Sequence, residues 1–143
     1  MNTLSAIRRW ILALLAFGLV GTGVELTLTE HYETGLQVIP LVVIALGICV
    51  VAWHTLAGSA LSIRVLRGTM GVFLLAGIVG MGLHYRGGAE FQVEIDPAQS
   101  RWEIFKKVMR AKAPPVLASG TMVQLGLLGL LYVYKHPALE QDV

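Results

Sequence analysis

Hydrophobic positions run almost unbroken through four stretches of the chain, 10–29, 38–57, 68–85 and 115–134. Each is close to the ~20 residues that a helix needs to cross ~30 Å of hydrocarbon. A bilayer offers no water to backbone donors, which excludes an open sheet, and the runs are too long and unbroken for barrel strands. The links 30–37 and 58–67 are short, so successive helices lie side by side and antiparallel. The pattern predicts an all-α integral membrane protein. Its expected form is a four-transmembrane-helix, up-down-up-down bundle that makes a single membrane domain over 1–143.

The third connection, 86–114, breaks this pattern and is expected to form a small extracytoplasmic cap. Gly87-Gly88 follows a hydrophobic run and reads as a chain break. Across 90–95, Phe91, Val93 and Ile95 alternate with Glu90, Gln92 and Glu94, the period of a short extended segment. Asp96 is a good N-cap, Pro97 suits a first helical position, and Gln99 stands where a capping-box partner belongs. In the helix expected next, Ala98, Trp102, Phe105 and Met109 share one face, while Arg101, Lys106, Lys107 and Arg110 lie elsewhere. Pro114-Pro115 would end it. The amphipathic pattern places this helix flat on the membrane with Trp102 at the headgroups. Arg101, Trp102, Phe105, Lys106, Lys107 and Arg110 are the expected partner-binding residues.

Composition agrees with an apolar solvent. Of 143 residues, 55% are hydrophobic and 14% charged, against about 25% charged in an ordinary soluble domain. The one cysteine, Cys49, lies inside an apolar run, so neither an intrachain disulfide nor a cysteine zinc cluster can form. A net charge of +2 gives no basis for nucleic-acid binding. Arg8-Arg9-Trp10 before an apolar run imitates a cleaved signal. The run reaches Leu28 with no small-residue cleavage site after it, so it reads as a retained first span.

Orientation follows the basic residues. Arg8, Arg9, Arg64, Arg67 and Lys135 fall on one side of the bundle, and the first link is acidic at Glu30 and Glu33. The positive-inside rule then places both termini in the cytoplasm of a bacterial inner membrane and 86–114 on the outer face. The basic cap opposes this; the first span is given the greater weight. Trp10, Trp53, Tyr132 and Tyr134 are expected as anchors at one interface, with Tyr32, Tyr85 and Trp102 at the other.

Candidate chemistry is sparse. Glu25 is the one acidic residue within a span, and an intramembrane carboxylate costs about 2.5–3.5 kcal/mol even on insertion scales. It is expected to couple to an ion, to hydrogen-bond a neighbouring helix, or to pair with Arg86. His31 and His84 converge with Glu25 at the outer mouth, a donor set suited to a metal ion. His54, near the other end, could ligate a haem or chlorin, or simply pack. Gln124 is an intramembrane polar residue of the fourth span, and Pro40 reads as a first-turn residue of the second. Gly18, Gly21, Gly77, Gly80, Gly126 and Gly129 come in pairs three apart, which allows close helix packing. No nucleophile–base pair or phosphate loop is present, so an enzyme is not expected. The favoured function is an accessory or structural subunit of a larger membrane complex, with the bilayer and other membrane subunits as partners. The alternatives are a small ion-coupled transporter using Glu25, and a haem-, pigment- or metal-binding protein.

Overall fold

The computed structural model describes residues 3–111 and 116–140. It contains helices α1 (Thr3–Leu28), α2 (Gly35–Ala57), α3 (Ala60–Ile95), α4 (Arg101–Met109), α5 (Gly120–Val133) and α6 (Pro137–Glu140). A 3-10 turn, Val116–Ser119, precedes α5. Three of the helices, α1, α2 and α3, are long and apolar enough to cross a membrane. The outside of the bundle is as apolar as its inside. Phe17, Leu56 and Leu75 are 78%, 89% and 65% exposed, while Leu15, Leu19, Ile63, Leu66, Met70 and Phe73 are buried in the centre. Water would penalise such an exterior, whereas lipid does not.

Local chemistry sets the helix ends. Gly58 stops α2 in a left-handed conformation, φ +57°, with its N–H donating to the His54 carbonyl at 2.9 Å. Ser59 starts α3 by accepting the Ser62 N–H at 3.2 Å. The second link is therefore only two residues, and Arg64 and Arg67 lie on the first turns of α3. α1 ends in a Schellman motif: His31 N–H reaches Leu26 O at 2.9 Å, Glu30 N–H reaches Thr27 O at 3.2 Å, and Glu30 is left-handed at φ 54°. Glycine is the usual residue there. Because α2 begins at Gly35, Pro40 lies within the helix, not in its first turn, and leaves the Leu36 carbonyl without its helical donor.

α3 is the largest departure from expectation. Its 36 residues measure about 54 Å at 1.5 Å per residue, well beyond a hydrocarbon core of ~30 Å. Gly87-Gly88 does not break it, and 90–95 is helix, not an extended segment. Propagating an existing helix adds one hydrogen bond per residue fixed, with no new nucleus, and Arg86 supports the extension by pairing with Glu90 one turn on at 2.7 Å. Asp96 is the C-cap of α3, not the N-cap of the next helix. Its carboxylate accepts the Ala98 N–H at 3.0 Å, and Pro97 lies in that turn. α4 starts instead from a capping box at Ser100 and Glu103. Glu103 accepts both the Ser100 N–H and hydroxyl at 2.9 Å. Those bonds hold its carboxyl below the usual range.

The expected fourth span, 115–134, is represented by the 3-10 turn and the 14-residue α5; Pro114 and Pro115 lie outside the described residues. α5 packs most extensively on α3, through glycines on both helices. A Cβ on Gly77 would come 2.8 Å from Val123 N and 3.0 Å from Ser119 O, and one on Gly80 would come 2.7 Å from Ser119 Oγ. In return, Gly126 receives the backbone at Met70 and Leu74, and Gly129 receives the Met70 side chain. Gly18 receives Leu125 of α5, but Gly21 faces open space and contributes no close packing. Gly47, which the glycine pairs do not include, receives Phe73 and Leu19. Arg8 donates to Lys135 O at 2.7 Å and Tyr134 O at 3.4 Å, which ties the start of α1 to the end of α5.

Candidate functional site

At the end of the bundle where α1 terminates, the helices part around a cavity of about 480 Å³. The face of α1 that gives close packing at Gly18 becomes polar one turn later. Thr22, Glu25, Leu26 and Thr29 follow at helical spacing and line the cavity. The Schellman turn brings His31 back over the end of α1, where its ring lies 6.2 Å from that of His84 on α3. Pro40 of α2, Ala118 and Ser119 of the 3-10 turn, and Thr121 and Met122 of α5 complete the wall. Glu25, His31 and His84 thus line one cavity. Glu25 does not pair with Arg86, whose guanidinium is engaged by Glu90 at 2.7 Å. Among the described residues no three His, Cys, Asp or Glu groups converge closely enough to hold a metal ion.

His54 belongs to a different site, at the opposite end. Its Nδ1 lies 2.8 Å from Ser62 Oγ, and its Nε2 lies 2.7 Å from the Tyr132 hydroxyl. The Ser62 hydroxyl has one proton and donates it to Ser59 O at 2.7 Å. His54 Nδ1 must therefore be the donor to Ser62, and Nε2 the acceptor from Tyr132. A haem or chlorin could take His54 only by breaking one of these bonds. Tyr132 is buried and inward-facing, not an interfacial anchor. Its ring and that of His54 also meet His136, at 5.2 and 5.7 Å. His136 Nδ1 accepts the Ala138 N–H at 3.3 Å and so opens α6. Burial, then Arg8, then His54 push the His136 imidazole below its usual range. Tyr132, Ser62 and Arg8 were not singled out as site residues by sequence. Tyr132 reads there as an aromatic girdle residue, and nothing local marks it as a partner of a histidine 78 positions away.

The third feature is the junction of α3 and α4. Val108, 1% exposed, packs against Gly88, where a Cβ would come 2.9 Å from it. Gln99 donates to Gln92 O at 3.0 Å and Asp96 O at 3.1 Å, which fixes the turn between α3 and α4. The Trp102 and Phe105 rings stack with centroids 5.4 Å apart and planes 13° apart, and Lys106 Nζ lies 5.9 Å from the Trp102 ring centre. Trp102 is 63% exposed and Phe105 40%. Arg101, Lys107 and Arg110 are exposed beside them. Gln124 joins none of these sites and lies exposed on α5. Comparison with protein-family models, curated proteins and solved structures returns no match to this chain.

Proposed function

We propose that this protein is a subunit of a larger membrane assembly, held in the bilayer by four spans and docked to its partner through α4. The observation that carries this reading is a division of labour within the cap. α4 is fastened to α3 by Val108 on Gly88 and by Gln99, which donates to Gln92 O, while Ser100 and Glu103 cap α4 itself. Trp102 and Arg101 are left outward. Interface energy concentrates in a few aromatic and Arg residues of this kind. Replacing Trp102 or Arg101 by Ala is expected to reduce recovery of co-purifying membrane polypeptides while bilayer insertion persists. Exchanging Glu103 and Lys106 keeps the net charge and removes the capping box, and is expected to do the same. Normal recovery for all three would make α4 a lipid-facing helix, since anionic lipid attracts basic segments irrespective of residue order.

Four spans are supported by length. The 3-10 turn and α5 together rise about 29 Å, close to a hydrocarbon core of ~30 Å. The shared end of α1 and α5, with Arg8, Arg64, Arg67 and Lys135 near it, supports cytoplasmic termini in an inner membrane and an external cap. In a Cys49→Ala background, an impermeant thiol reagent outside intact cells is expected to label Glu94→Cys and spare Thr3→Cys. The reverse pattern would invert the topology.

A further inference from the structure

We propose that the mouth cavity binds a small organic cation, an ammonium group carrying an apolar body. This goes beyond docking through α4 and stands independently of it. Among the described residues Glu25 is the only acidic one on the wall, and no Lys or Arg lines it. Arg86, two residues beyond His84, is paired with Glu90. Among the described residues no cation pairs with Glu25. A carboxylate beside apolar surface feels less screening than one in bulk water, so its attraction for a cation is strengthened.

The rest of the wall fits the two halves of such a ligand. Ring nitrogens of His31 and His84 and the hydroxyls of Thr22, Ser119 and Thr121 can accept ammonium N–H groups. Leu26, Pro40, Ala118 and Met122 offer apolar surface to the body. The volume of about 480 Å³ falls in the ~300–1,000 Å³ range of small-molecule sites. A bare metal ion fits less well, because three or four ligands must close around it at ~2.0–2.6 Å and the described residues offer no such group. The cavity opens where α1 ends, so a water-soluble cation reaches it without crossing the bilayer core.

The test uses benzylammonium as probe, with benzyl alcohol as its neutral counterpart. Imidazole resonances of the full-length protein in detergent are followed by NMR. Saturable shifts are expected at His31 and His84, while His54 and His136, at the opposite end, stay still and report an intact fold. Benzyl alcohol is expected to bind at least about tenfold more weakly, and Glu25→Gln to weaken benzylammonium by a similar factor, about 1.4 kcal/mol. Glu25→Asp keeps the charge and is expected to retain part of the affinity. Glu94→Gln, exposed near the far end of α3 and outside the cavity, is expected to leave it unchanged. Equal binding of amine and alcohol, an unchanged affinity in Glu25→Gln with His54 unmoved, or no saturable shift at His31 and His84 would each overturn the proposal.

Discussion

Gly126→Ala is expected to destabilise the bundle by about 2–3 kcal/mol, the upper part of the usual range for overpacking. The new methyl would stand 2.9 Å from the Met70 carbonyl oxygen and 3.1 Å from the Leu74 nitrogen. Both are backbone atoms of α3, so no rotamer change can relieve the contact. The helices must separate, and every contact along α3–α5 weakens with them. Gly77→Ala meets the backbone of Val123 and Ser119 in the same way. Gly21→Ala and Gly71→Ala meet nothing within 4 Å and should be neutral or stabilising by up to ~1 kcal/mol, since Ala is the better helix former. Unfolding in detergent by heat or by a denaturing surfactant compares the four variants. Equal stabilities would show that glycine spacing does not set the α3–α5 distance.

Tyr132→Phe is expected to cost about 1–3 kcal/mol, the desolvation penalty of leaving one buried acceptor without a donor. That acceptor is His54 Nε2, because the Ser62 hydroxyl is already committed to Ser59 O. His54→Ala should cost more, since it also empties the space between α2, α3 and α5 and leaves the Tyr132 hydroxyl without its acceptor. The two losses should not add: in the double variant neither partner remains unsatisfied, and a coupling of about 0.5–3 kcal/mol is expected. Additive losses from the double-mutant cycle would mean that the His54–Tyr132 bond contributes little.

The long apolar helices were legible because they leave one signal, unbroken apolar runs; α2 keeps close to its expected ends, whereas α1 begins at Thr3, well before the expected start at Trp10. The mouth was legible for a similar reason. Polar residues are so few that Glu25, His31 and His84 could be grouped by depth alone. The end of α3 and its turn into α4 were not, because two periodicities competed. Phe91, Val93 and Ile95 alternate like a strand, yet Gly77, Gly80, His84 and Gly88 already form a helical stripe. That stripe carries α3 through the double glycine to a place where Gly88 meets Val108. Two capping boxes also competed. Asp96 with Gln99 has the capping-box spacing, but Ser100 with Glu103 has the same spacing and is the pair that forms. Proline after Asp96 favoured the wrong one, since proline serves turns as readily as helix starts. The polar knot around His54 was hidden for another reason. A histidine and a tyrosine 78 residues apart carry no local sign of contact, and only the docking of α5 on α3 brings them together.

Native mass measurement after gentle detergent extraction tests the proposed role most directly. The account predicts that the chain leaves the membrane with other polypeptides, at a mass no whole number of its own copies explains. Trp102→Ala should shift it toward the free chain. A wild-type protein that runs alone or only with copies of itself, under several mild detergents, would contradict it.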